Sequence, residues 1–148
     1  MLYFAYGSNM DENQMDRMSP GGFKFISPGK LKNHKITFDC YSRSLKSGVI
    51  DLVESKGDEI WGVVFDVTED CARAMDDYEG VEGGMYQRKG CIIDTKGGPL
   101  EAFLYTVSKK ISFQPPSKKY LQKLVQGAKV HNLPRSYIAL LSSIPTLD

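Results

Sequence analysis

The sequence predicts an α+β fold built on a mostly antiparallel or mixed sheet. Three observations predict it: apolar segments of strand length outnumber those of helical period, the connections between them are short and rich in Gly and Pro, and no regular strand–helix alternation runs along the chain. Such a sheet stays open or closes into a small barrel. A chain of 148 residues is one domain's worth. No internal repeat, low-complexity tract or linker divides it, so residues 1–148 are read as a single domain.

The opening hexapeptide Met1 to Tyr6 reads as a buried strand stopped by Gly7. Ser8 or Asn9 then caps a short helix to about Arg17, with Asp11 and Glu12 in its first turn, where the helix dipole favours acids. Ser19-Pro20-Gly21-Gly22 breaks the chain. Phe23 to Ile26 and Leu31 to Tyr41 read as strands around a Pro28-Gly29 turn. Gly48 to Val53 and Ile60 to Val67 flank Lys56-Gly57-Asp58 at hairpin-like spacing. Thr68 caps a helix whose apolar face includes Cys71, Met75 and Tyr78, and Gly80 ends it after Glu79. Met85 to Asp94 and Leu100 to Val107 form a strand pair around Lys96-Gly97-Gly98-Pro99. Behind Pro115-Pro116-Ser117, Tyr120, Leu121, Leu124, Val125 and Ala128 mark a helical face. A last helix follows Pro134, with Tyr137, Leu140, Leu141 and Ile144 on one side.

Composition excludes several function classes. The charge balance, 19 basic against 18 acidic residues, supplies no field for gripping a phosphate backbone, so no nucleic-acid partner is expected. No apolar run reaches membrane-spanning length, and the N-terminal segment lacks the basic flank of a signal peptide. Cys40, Cys71 and Cys91 form no C-x-x-C pair and are read as reduced, buried thiols. Together these features predict a cytoplasmic protein with no membrane partner; a homodimer is left open. His34 and His131 lie near no acidic or cysteine cluster of ligand spacing, so neither a metal site nor a nucleophilic triad is expected.

Two features carry chemistry. Tyr6-Gly7-Ser8-Asn9 joins a buried strand to a helix start, an arrangement that aims backbone N–H groups at a carboxylate or phosphate. An ordinary glycine turn is its plainer reading. Asp76-Asp77-Tyr78-Glu79-Gly80 places three acids at a helix C-terminus, against the macrodipole. Neighbouring like charge and partial burial would raise a carboxyl pKa there and make one of them a proton shuttle; a solvated acidic turn is the plainer alternative.

Tyr3-Phe4-Ala5-Tyr6-Gly7-Ser8-Asn9-Met10 resembles the opening signature of the γ-glutamylcyclotransferase family, with Met10 in place of the usual Leu. Glu79-Gly80-Val81 followed by Gly84-Met85-Tyr86 resembles that family's catalytic segment. Pro115-Pro116-Ser117, Tyr120, Gly127-Ala128-Lys129, Asn132-Leu133-Pro134 and Tyr137 resemble the C-terminal part of the animal-type enzyme. The resemblance implies a compact mixed β-barrel with helices packed around it, and cyclisation of a γ-glutamyl group to 5-oxoproline without metal or other cofactor. By motif it implies Glu79 as the catalytic acid/base, and Tyr6, Gly7, Ser8 and Asn9 as the substrate loop. It also implies that Tyr86, Tyr105 and Tyr120 line the pocket.

That chemistry suits these residues. A γ-glutamyl amide carries its own nucleophile, the α-amine, so the protein need not supply one. One carboxyl with a raised pKa serves both proton transfers, worth typically ~10²–10⁴ in rate. The expected partner is thus a small γ-glutamyl compound: a γ-glutamyl amino acid, or alternatively a γ-glutamyl amine or biosynthetic γ-glutamyl amide. A non-catalytic module binding γ-glutamyl groups or carboxylates is the competing class.

Overall fold

The computed structural model describes residues 1–148. Five strands form a closed barrel: β1 (Leu2–Ala5), β2 (Phe23–Ser42), β3 (Ser47–Val67), β4 (Tyr86–Thr95) and β5 (Gly98–Val107), in the order β1-β3-β2-β4-β5. Neighbours are antiparallel except β1 and β5, which meet in parallel at Tyr3 and Phe103 and close the ring. Helices α1 (Glu12–Met18), α2 (Glu69–Glu79), α3 (Lys118–Val130) and α4 (Arg135–Ser142) pack around it. The α+β barrel reading therefore holds. No helix is long and apolar enough to cross a membrane.

The core joins strand residues such as Phe4, Phe65, Ile93 and Leu104 to Met10, Met15, Met75 and Leu124 from the helical segments, all essentially inaccessible. Burying side chains of this size contributes ~1.5–3 kcal/mol each before entropy is counted. Leu140, expected on the inner face of α4, is instead exposed, whereas Tyr137 and Leu141 are buried.

Two expected turns are not turns. Pro28-Gly29 lies inside β2, and Lys56-Gly57-Asp58 lies inside β3, so four expected strands are two long ones paired with each other. At Lys56-Gly57-Asp58 the ladder slips between Lys32↔Glu59 and His34↔Glu54. Gly57 takes φ +87° there and donates its amide to Asn33 Oδ1 at 3.1 Å. A bulge spends the same residues as a turn but keeps the strand going. The real hairpin turn is Arg43 to Lys46, between the paired Ser42 and Ser47.

The helix start after Tyr6 also differs. Ser8–Met10 form a single 3₁₀ turn, and Asp11, whose carboxylate accepts from Asn13 N at 2.9 Å, caps α1. Thr68 and Gly80 bound α2 as expected: the Thr68 hydroxyl accepts from Cys71 N, and Gly80 sits at φ +65°, a left-handed conformation that glycine adopts without penalty.

The free end of the β2–β3 hairpin is held by the segment after β5. Gln114 N donates to Phe38 O at 2.7 Å, Ile111 N to Asp39 O at 2.9 Å, and Gly48 N to Pro115 O at 3.1 Å. Asp51, wholly buried beneath this strap, accepts from Thr106 Oγ1, Val107 N and Lys110 Nζ. A buried carboxylate satisfied this way resists losing any one partner, which ties the strap to the barrel. Cys71 is buried, but Cys40 and Cys91 are only partly so, and all three are free thiols.

Candidate active site

A cavity of about 580 Å³ opens at the end of the barrel where β1 leaves the sheet. Its walls come from the Tyr6–Asn9 loop, the β2–β3 hairpin tip, the C-terminus of α2, Met85-Tyr86, and Tyr105 and Tyr120. Tyr6, Gly7, Ser8, Asn9, Glu79, Tyr86, Tyr105 and Tyr120 all line it, so residues as far apart in sequence as Tyr6 and Tyr120 face one space.

Glu79 is the last residue of α2 and the cavity's one acidic side chain. Burial pushes its carboxyl up to about 7, with no charged or hydrogen-bonding partner to offset the desolvation. Of the two causes expected from the sequence, burial is the one that acts; like charge from the acidic neighbours does not contribute. Asp77 is exposed. Both Asp76 oxygens are engaged by Arg88, through Nε at 2.8 Å and Nη2 at 2.7 Å, and Oδ1 also accepts from Tyr105 OH at 2.6 Å. Only Glu79 of the three is left free to exchange a proton inside the cavity.

The hydroxyls divide by what they already hold. Tyr6 donates to the Tyr105 carbonyl at 2.6 Å and Tyr105 donates to Asp76, so both rings are fixed walls. Tyr120 accepts from Ile50 N at 3.1 Å, and Tyr3 accepts from Asn9 Nδ2 at 3.1 Å. The hydroxyl hydrogens of Tyr3 and Tyr120 have no acceptor in the protein and are available to a ligand, whereas the Tyr86 hydroxyl lies against the Cys40 thiol. Burial, and then the charge of Glu79, raise the Tyr3 and Tyr86 hydroxyl pKa values above the ordinary phenol range, so both stay protonated.

In the 3₁₀ turn, Met10 N bonds Gly7 O and Asp11 N bonds Ser8 O, both at 3.1 Å, whereas the amides of Ser8 and Asn9 meet no protein acceptor. The unsatisfied donors expected after Gly7 are present, in a tighter turn than an α-helix start. Gly7 lies against Ile50: a Cβ there would come within 2.8 Å of Ile50 Cγ2. The loop is thus pressed onto β3, with no room for a side chain between.

Tyr3, Cys40, Val49, Ile50, Met85 and the hairpin tip also line the cavity without a site role having been assigned to them from the sequence. Tyr3 and Met85 stand inside the quoted motifs and could have been found by that. The hairpin tip could not, because nothing local marks Arg43 as facing a site. No group of three or more His, Cys, Asp or Glu side chains is arranged as metal ligands.

The profile of the AIG2-like family matches residues 59–141. A γ-glutamylcyclotransferase of Bos taurus is 33% identical over 99% of this chain and 80% of its own length. That of Homo sapiens is 30% identical over the same shares. A solved structure of a γ-glutamyl cyclotransferase superposes with a TM-score of 0.93 at 29% identity, covering 100% of this chain and 89% of its own. By sequence over nearly its full length, and by fold, the chain belongs to the AIG2-like, γ-glutamylcyclotransferase family.

Proposed function

We propose that the protein converts γ-glutamyl amino acids to 5-oxoproline and a free amino acid by intramolecular attack of the α-amine, with Glu79 as general acid/base. The observation that carries the reading is Glu79 itself, a partly buried and unpartnered carboxyl poised at about 7 inside the cavity. A group that titrates near neutral pH accepts and returns protons with little driving force lost in either direction.

The Glu79 carboxylate takes a proton from the substrate α-ammonium, and the freed amine attacks the γ-carbonyl carbon. The new N–C bond closes a five-membered ring. As the old amide C–N bond breaks, Glu79 returns the proton to the leaving nitrogen. A second proton follows the same route, so the ring nitrogen ends as a lactam N–H and the leaving amine as an ammonium. The free amides of Ser8 and Asn9 and the hydroxyl of Tyr3 are donors for the α-carboxylate and for the oxyanion that develops on the γ-carbonyl. Holding the chain folded against the tyrosine walls contributes through proximity.

A pure binding module would gain nothing from an unpaired carboxyl facing an anionic ligand. The test is incubation with γ-glutamyl-alanine, following 5-oxoproline and alanine by mass, in wild type and Glu79→Gln. Turnover by wild type with a loss of at least ~10² in the variant is expected. Binding without product in wild type, or full turnover in a folded Glu79→Gln, would overturn the reading.

A further inference from the structure

We infer that Arg43, at the tip of the β2–β3 hairpin, is a carboxylate subsite for the leaving group, selecting γ-glutamyl amino acids over γ-glutamyl amines. The inference rests on the reaction proposed above and names its substrate class.

Arg43 is the only cationic side chain lining the cavity, as Glu79 is the only anionic one. It forms no ion pair or hydrogen bond with the protein, in contrast to Arg88, which is locked to Asp76. Its backbone, however, is well held. Ser42 and Ser47 are paired across the hairpin, the Ser42 hydroxyl accepts from Leu45 N at 3.2 Å, and Lys46 closes the turn at φ +51°. Just behind the turn, Ser117 N donates to Ser47 Oγ at 2.8 Å and Gly48 N to Pro115 O at 3.1 Å, fastening the tip to the strap. A guanidinium on an anchored turn that faces a cavity and has no partner of its own is a free carboxylate receptor with a fixed base.

The charges of the substrate then fit those of the site. A γ-glutamyl amino acid has one ammonium and two carboxylates. Its ammonium belongs at Glu79, which must deprotonate it, and its glutamyl α-carboxylate at the free amides of Ser8 and Asn9. The scissile amide therefore lies near Glu79, and the leaving group extends toward the cavity wall those groups do not occupy. That wall is the hairpin tip and Met85, where Tyr41, Leu45 and Met85 leave large apolar surface exposed beside Arg43. An amino-acid leaving group places its carboxylate on Arg43 and its side chain on that surface. A leaving amine has nothing for Arg43 to bind.

The experiment compares kcat/KM for γ-glutamyl-alanine and γ-glutamyl-ethylamine in wild type, Arg43→Gln and Arg43→Lys, after circular dichroism has shown all three folded. Arg43→Gln is expected to lower kcat/KM for γ-glutamyl-alanine by about 10- to 100-fold, mostly through KM, the scale of one charge-assisted hydrogen-bonded pair. Its effect on γ-glutamyl-ethylamine should stay within about twofold, and Arg43→Lys should restore part of the loss. Equal losses on both substrates would place Arg43 at the glutamyl α-carboxylate and overturn the inference, as would no loss on either. Wild-type turnover of neither substrate would instead overturn the underlying reaction, and the subsite would fall with it.

Discussion

Lys123 on α3 donates to the side-chain oxygen of Gln14 on α1, and this contact sets the direction of the polar side chains behind the Tyr6–Asn9 loop. Lysine only donates, so the amide atom it meets must be the oxygen. Gln14 Nε2 then faces Ser8 Oγ at 2.9 Å and Asn9 Oδ1 at 2.7 Å. Asn9 is turned in consequence, and its Nδ2 donates to Tyr3 OH. Tyr3 accepts on that side and keeps its own hydrogen for the cavity. Three elements thus cooperate to leave one phenolic donor free.

Reversing this relay should silence Tyr3. In Gln14→Glu the new carboxylate keeps Lys123 but only accepts, so Asn9 is driven to present Nδ2 to it and Oδ1 to Tyr3. The Tyr3 hydrogen is then spent on Asn9. Gln14→Glu and Tyr3→Phe should each lower kcat/KM for γ-glutamyl-alanine by about tenfold, the worth of one hydrogen bond of ~1–1.5 kcal/mol. Together they should cost little more than either alone, since both remove the same donor. Additive losses in the double variant would show that Gln14 does not act through Tyr3.

The pH dependence of the free enzyme follows from Glu79. In the proposed reaction its carboxylate form takes the first proton, and burial places its titration at about 7. A plot of kcat/KM against pH should rise through a one-proton limb centred there and flatten above it. The substrate ammonium titrates higher and does not produce this limb. A profile already flat from pH 5.5 upward would mean that Glu79 is solvated and is not the base.

The same shift has a stability consequence of definite sign. The folded carboxyl titrates at about 7, against 4.5 when unperturbed. Between those values the folded state keeps a proton that the unfolded chain releases, so Glu79 lowers stability as pH rises from 4.5 through 7 and holds it lower above. Glu79→Gln removes that penalty. Its Tm relative to wild type should be higher at pH 8.5 than at pH 5, measured by thermal denaturation at constant ionic strength. An identical difference at both pH values would contradict the burial that gives Glu79 its role.

What the sequence reveals of this site depends on how local each signal is. α2 was legible end to end because Thr68 and Gly80 sit beside the segment they terminate. The lengths of β2 and β3 were not, because Pro28-Gly29 and Lys56-Gly57-Asp58 carry turn chemistry that becomes bends and bulges only when two long strands pair. Glu79 stood out as an acid at a helix end, yet the cause of its perturbation is burial by a cavity whose walls are distant in sequence. Asp76 looked equivalent to it until the fold brought Arg88 and Tyr105 to its oxygens. Arg43 gave no signal at all, since a basic residue in a hairpin turn is the commonest kind of surface.

The Gly7 position offers a test of how closely the substrate loop must lie on the barrel. A Cβ added there meets Ile50 Cγ2 at 2.8 Å, a separation that real structures do not tolerate, and Ile50 is buried with its amide bonded to Tyr120. Ile50 Cγ2 is carried directly on the Cβ of a β3 residue and moves only by turning a stiff β-branched χ1, so Gly7→Ala should lift the loop and move the Ser8 and Asn9 amides off their positions. Turnover of γ-glutamyl-alanine should drop at least tenfold, because donors displaced by a few tenths of an ångström no longer meet the charge they stabilise. Ile50→Ala removes the clashing methyl while its backbone bond to Tyr120 stays, at a cost of ~2–5 kcal/mol in stability. In the double variant the loop can settle back, so adding Ile50→Ala to Gly7→Ala should recover much of the lost turnover, assayed at a temperature where all variants are folded. Failure of that recovery, with each single variant folded, would mean that Gly7 is required for a reason other than its contact with Ile50.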